Sequence, residues 1–295
     1  MTGKDDAKIH QLPNTDGMKN EVIIQVMQRN FYELMIRLSG AKLVEIGLSN
    51  GTQRYHFESA INEKTAAIVH FVAYSPAGDL PIEEVIEVGH KYEVPVIVDA
   101  AAEFPPFSAL RRWADMGADL TIFSGGKGIR GPQSSGLILG RKDLIEACAR
   151  NASPNHGVGR PSKIGKEEIA GLVTALELFS IEEFEQAEFD GWQHRTNHMV
   201  KILSELPGIT AYSESSPSIP AHASIRPPGI PLTHIEWDPD LISKTEDRVV
   251  QELNDGDPSI VVKKVENGIQ ISPSTLQPGE EYIITDRLSQ ILTAV

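Results

Sequence analysis

With 295 residues, 40% of them hydrophobic and 6% aromatic, the chain is long enough to bury a substantial core, divided into one large and one smaller domain. A formal charge of -14 leaves no broad basic surface, which argues against nucleic acid and anionic lipid as partners and favours small-molecule substrates. The single cysteine, Cys148, excludes an internal disulfide and fits a buried apolar filler in a reducing cytoplasm.

The N-terminal segment MTGKDDAKIHQLPNTDG is polar and acidic and lacks the apolar stretch of a secretory signal, and no apolar run reaches membrane-spanning length. A cytoplasmic protein without a membrane partner is expected. Short β-branched runs at residues 21–25, 42–46, 65–73, 94–100 and 119–123 are predicted strands. Amphipathic segments at 54–61, 82–92, 107–116 and 142–150 are predicted helices that supply the crossovers. The alternation predicts a three-layer α/β fold around a mostly parallel sheet. Residues 135–139 read as a further strand, antiparallel because the connection is too short for a crossover helix. Residues 151–162 have the Asn, Ser, Pro and Gly content of a loop, and 166–206 read as a long helical stretch linking two domains. Beyond Pro207, strands at 209–212, 222–226, 232–236 and 260–265 and helices at 242–253 and 280–292 predict a small α+β domain. The expected division is a large domain over residues 1–180, followed by a linking helix and the small domain over 181–295.

The stretch that carries chemistry is Val94-Pro-Val-Ile-Val-Asp99-Ala, followed one crossover helix later by Thr121-Ile-Phe-Ser124-Gly-Gly126-Lys127-Gly-Ile-Arg130. In a doubly wound sheet, residues just past the carboxyl ends of the strands line the ligand crevice, so Asp99 and Lys127 are expected at one edge. An amine and a carboxylate so placed suit pyridoxal 5'-phosphate (PLP), which needs a lysine to bond its aldehyde and a carboxylate to keep its pyridine nitrogen protonated. Ser124, beside Gly125 and Gly126, has a hydroxyl and nearby backbone N–H groups suited to the cofactor phosphate. Arg130 either repels the charge of Lys127 or binds an anionic substrate group. Each residue also has a plain reading: a strand-end Asp serves as a helix cap or metal ligand, and a Lys in a Gly-rich loop as a solvated or phosphate-facing group. His194 and His198 have a zinc-compatible spacing but lack a helical glutamate base and a third ligand, and no metal site is expected. The acidic run 182–188 reads as a solvated helix face.

Five segments taken together resemble one family: Ala41-Lys-Leu-Val-Glu-Ile-Gly47, Ala60-Ile-Asn-Glu-Lys-Thr-Ala66, Val94-Pro-Val-Ile-Val-Asp99-Ala100, Gly117-Ala-Asp-Leu-Thr-Ile-Phe-Ser124-Gly-Gly-Lys127 and Gly131-Pro-Gln-Ser-Ser-Gly136. Over residues 12 to 180 the chain is similar to the L-seryl-tRNA(Sec) selenium transferase-like family of PLP enzymes, which also holds D-glucosaminate-6-phosphate ammonia lyase. The resemblance implies the aspartate aminotransferase-like fold (fold type I), with Lys127 as the Schiff-base lysine, Asp99 as the pyridine partner, and Ser124 and Gly126 beside the cofactor. Arg160, in Gly157-Val-Gly-Arg160-Pro-Ser-Lys163, resembles a basic segment of the family that reaches phosphate or substrate across a dimer interface. A homodimer or higher homo-oligomer is implied in turn.

The implied activity is a PLP-dependent lyase, eliminating and deaminating a small amino acid or amino-sugar acid. Two alternatives remain at this point: selenium transfer to seryl-tRNA, and a catalytically impaired homologue. Ahead of the position equivalent to Leu12, family members carry a Thr/Ser-Gly-Ala-rich phosphate loop and a residue that stacks on the ring. Neither is found here, so the large domain is expected to be incomplete at its N-terminus.

Overall fold

The computed structural model describes residues 1–74, 78–215 and 229–293. The chain divides into two compact units, one built on Met1–Ser180 and the other on the described residues from Ile181 onward.

In the first unit a short helix α1 (Asp6–Gln11) precedes β1 (Glu21–Gln25), α2 (Leu34–Leu38), β2 (Lys42–Ile46), α3 (Arg54–Ala60), β3 (Thr65–Phe71), α4 (Ile82–Lys91), β4 (Val96–Asp99), α5 (Ala109–Asp115), β5 (Leu120–Ser124), β6 (Gly136–Gly140), α6 (Lys142–Asn151) and α7 (Lys166–Phe179). The six strands form one sheet in the order β2-β1-β3-β4-β5-β6. Its first five strands are parallel and β6 runs antiparallel to β5, as the short connection predicts. Central strands of a parallel sheet are covered on both faces, which is why β1 and β3 are apolar almost throughout and nearly wholly buried. Ile23, Ile24, Ile68, Val96 and Val98 are among the enclosed side chains. Helix α4 shows how a crossover is held: Ile82, Val85 and Ile86 face inward, Glu83 and Glu84 occupy the first turn, and His90 and Lys91 the last, in the sense the helix dipole favours. Gly89 has to be glycine, since a Cβ there would collide with the Val96 side chain.

The second unit holds α8 (Glu182–Ser204), β7 (Ile209–Ser215), β8 (Pro231–Trp237), α9 (Glu246–Asn254), β9 (Lys263–Val265), β10 (Gly268–Ile271) and α10 (Glu280–Thr293). Its sheet is antiparallel, in the order β7-β8-β10-β9. Met199, Leu203, Ile235, Val249, Leu253, Ile269 and Leu288 form its core.

Several expectations differ from what is observed. The long helical stretch is two helices, α7 and α8, separated at Ser180 and Ile181. The strand expected at 260–265 is shorter and is the first arm of a hairpin whose second arm is β10. The strand expected at 222–226 lies outside the described residues. Of the acidic run, Glu182 and Glu183 are exposed while Glu185 and Glu188 are half-buried, so only part of it is a solvated face. Cys148 is half-buried, not enclosed, and burial pushes its thiol pKa up. Among the described residues no helix is long and apolar enough to cross a membrane.

The junction of β4, β5 and β6 is fastened by one side chain. Asp119 is buried; its Oδ2 accepts from Val96 N at 2.8 Å and its Oδ1 from Arg141 Nη1 at 2.7 Å, while its own N–H donates to Val96 O at 3.0 Å. Removing the carboxylate strands a buried N–H. Asp119→Ala is therefore expected to lower unfolding free energy by about 2–4 kcal/mol in urea titrations. A loss within error of zero would show that the strand junction does not depend on it.

Candidate functional site

Parallel pairing sets the site. Phe71 on β3 lies opposite Asp99 at the end of β4, and Asp99 opposite Ile122 on β5, so three strands finish at one edge. Beyond β5 the chain turns through Gly125 and Gly126 to Lys127. A cavity of about 280 Å³ opens there, and Asp99, Ser124 and Lys127 all line it, with Tyr32, Phe71, Ala101, Ala102 and Ser135 among the other walls. The amine and carboxylate singled out in the sequence thus share one chamber at the carboxyl edge of the sheet, where ligands bind in this class of fold.

The two ends of the chamber differ electrostatically. Asp99 is partly enclosed; burial pushes its carboxyl pKa up, while the Ala101 N–H, donating to Oδ1 at 3.0 Å, and the charge of Lys127 pull it back. Lys127 is exposed, and its Nζ lies 5.5 Å from the centre of the Tyr32 ring, within cation–π range. Ser135 donates its hydroxyl to Pro132 O at 2.6 Å, which leaves its oxygen an acceptor toward the cavity.

The remaining predicted residues stand elsewhere. Gly126 is outside the lining, and a Cβ there would collide with the backbone of Gln133, whose side-chain amide donates to Gly126 O at 2.9 Å. Arg130 is exposed, with a positive φ of 61°, and is outside the lining. Arg160 begins a 3-10 turn, donates from Nη1 to Ser153 Oγ at 3.2 Å, and is likewise outside it. His198 packs edge-on against Tyr282, and among the described residues no three His, Cys, Asp or Glu side chains cluster as metal ligands.

Sequence reasoning missed four residues. Tyr32 reaches the cavity from a segment far from β4 and β5, and Phe31-Tyr32 carried no motif. Gln25 and Gln28, both wholly buried, brace the end of β3: Gln28 Oε1 accepts from Phe71 N at 2.9 Å and Gln25 Oε1 from Leu80 N at 2.8 Å. The available signal in the sequence was a glutamine ending the apolar run Val22-Ile23-Ile24-Gln25, since a polar group at the end of a buried strand must be satisfied. Glu103, four residues beyond Asp99, is only 3% exposed, and burial pushes its carboxyl up to about 7 against the opposing pull of Arg112 and Lys127.

That shift has a stability consequence. A carboxyl whose folded pKa lies above its unfolded value binds more protons when folded, so its contribution falls as pH rises from about 4.5 to about 7. Glu103→Gln is expected to be more stable than the parent at pH 8, by on the order of 1–3 kcal/mol in urea titrations, with the difference shrinking as pH falls and vanishing below about pH 4. A difference independent of pH would contradict the burial of a titrating carboxyl.

Comparison with known proteins identifies relatives over nearly the whole chain. The family model for SelA, L-seryl-tRNA selenium transferase, matches residues 32–191. A 5'-C-glycyluridine monooxygenase-decarboxylase from a Streptomyces species is 32% identical over 99% of this chain and 72% of its own length. D-glucosaminate-6-phosphate ammonia lyase from Salmonella typhimurium is 32% identical over 99% of this chain and 76% of its own. A solved structure of D-glucosaminate-6-phosphate ammonia-lyase matches with a TM-score of 0.81 at 31% identity, covering 99% of this chain and 76% of that one.

Proposed function

This chain belongs to the L-seryl-tRNA selenium transferase family, and on that premise we propose that it is a PLP-dependent lyase that eliminates and deaminates a small amino acid or amino-sugar acid. The observation that carries the reading is the single cavity lined by both Asp99 and Lys127. Similarity to an ammonia lyase over 99% of the chain supports the reaction class.

The residues present fit the cofactor. Asp99, a carboxylate desolvated by its surroundings, lacks a full counter-charge, and a protonated ring nitrogen is the partner that restores one. Lys127, across the same chamber, is the amine that anchors the aldehyde. PLP, when bound, supplies the sink for the electron pair left on the substrate carbon. Lys127 then accepts the proton of the carbon next to the substrate amine, because it is the basic group lining the cavity. Ser124 faces the same space and is placed to donate to phosphate. Tyr32 contributes one wall beside the Lys127 amine.

Selenium transfer to seryl-tRNA shares the elimination step but requires a tRNA surface, and a formal charge of -14 opposes one. Self-association is supported by an apolar stripe at helical spacing, Phe31, Leu34, Met35 and Leu38, whose side chains are exposed, Phe31 by 98%. It adjoins Tyr32 of the cavity wall. We take a homodimer as the working assembly.

Lys127→Ala is expected to abolish the visible absorbance of the bound cofactor. Asp99→Ala is expected to keep the cofactor weakly and to lower release of 2-oxo acid and ammonia by about a hundredfold to ten-thousandfold. Retention of both signals in the lysine variant would refute the site. Gel-shift titrations with tRNA at several salt concentrations should show no retained complex at physiological salt; a tight complex with a steep salt slope would favour the transferase reading.

A further inference from the structure

Glu103 is enclosed but does not line the cavity. Ala101 and Ala102 line the chamber and Glu103, the next residue, does not. Its main-chain N–H donates to Ala100 O at 3.0 Å, closing a turn directly after Asp99. The side chain is enclosed, and Oε2 finds no hydrogen-bond partner among the described residues. An enclosed carboxyl oxygen without a donor is costly unless the group is protonated or opposed by fixed positive charge.

Two cations act on it. Arg112 on α5 has an enclosed Nη1 that is also without a hydrogen-bond partner among the described residues, so the guanidinium works as a nearby charge and not as a bonded fork. Lys127 is the other, and main-chain packing fixes its loop against the Glu103 segment: a Cβ on Gly128 would collide with Phe104 O, leaving no room for the loops to separate by a side chain. The field at Glu103 therefore includes one constant charge, Arg112, and one that the proposed chemistry switches off, Lys127.

We propose that Glu103 is a positioning residue acting through Lys127: the buried carboxyl shifts toward its protonated form, drawing on solvent, when the lysine amine loses its positive charge, and shifts back toward carboxylate when the ammonium re-forms. In the limit, the group passes from two cations and one carboxylate to one cation and a neutral acid. The net charge of the three residues therefore changes by less than the full unit lost at the lysine, which lessens the cost of an enclosed carboxylate near a neutral amine. The inference deepens the proposed function, because it rests on Lys127 changing charge during turnover.

The test uses the protein without cofactor, so it fails independently of the PLP reading. Carbon-13 NMR of protein labelled at the glutamate carboxyl carbon gives the titration of Glu103, assigned by the resonance lost in Glu103→Gln or moved in Glu103→Asp. The parent resonance is expected to titrate near pH 7. In Lys127→Met, a substitution at an exposed position, the carboxyl's proton affinity should rise about tenfold. Arg112→Met should move it the same way, showing that charge, not shape, sets the midpoint. An unchanged midpoint in Lys127→Met, or a carboxyl that titrates as an exposed glutamate in the parent, overturns the proposal.

Discussion

Because β4 and β5 run parallel in the register Ile97↔Leu120 to Asp99↔Ile122, their carboxyl ends open side by side, and every statement about chemistry depends on that pairing. A slip of one residue would turn Asp99 to the opposite face of the sheet, away from the cavity that Lys127 lines. Asp119 guards against it from the far end of the strands by binding Val96 on one side and Arg141 on the other. Stability at the closed end of the sheet thus serves precision at the open end, and the two are separated by the length of a short strand.

The site gains its character from unequal burial of like groups. Asp99 and Glu103 are four residues apart and both are pushed toward the neutral form by desolvation, yet Asp99 lines the cavity while Glu103 does not. The first is available to an incoming cation. The second senses only charges already in the protein. Such a division between a ligand-facing and an enclosed carboxyl follows from one tight turn, Ala100 to Glu103, and not from a difference in residue type.

Much of this was legible in the chain itself. Val96-Ile-Val-Asp99 is an apolar run ended by a charge, the pattern of a strand buried on both faces that terminates at a crevice, and the glycines before Lys127 mark a turn. The antiparallel β6 followed from a connection too short to cross over. The break between α7 and α8 was not legible, since neither glycine nor proline marks Ser180-Ile181 and the helical period continues on both sides. The arm β10 was signalled and overlooked: the two-residue loop Glu266-Asn267 joins β9 to β10, and Asn267 takes a positive φ, 63°, which asparagine tolerates. Tyr32 and Glu103 could not be read, because their roles come from neighbours brought together by folding.

On this geometry Lys127 and Asp99 hold one PLP molecule between them. That pairing is tested most directly by mixing the purified chain with PLP, reducing with borohydride and mapping the modified peptide by mass spectrometry, in the parent and in Asp99→Ala. The account predicts one stoichiometric phosphopyridoxyl group on Lys127 in the parent, with labelling at limiting PLP much reduced in the aspartate variant. Labelling spread over surface lysines, or confined to a lysine other than Lys127, would contradict it.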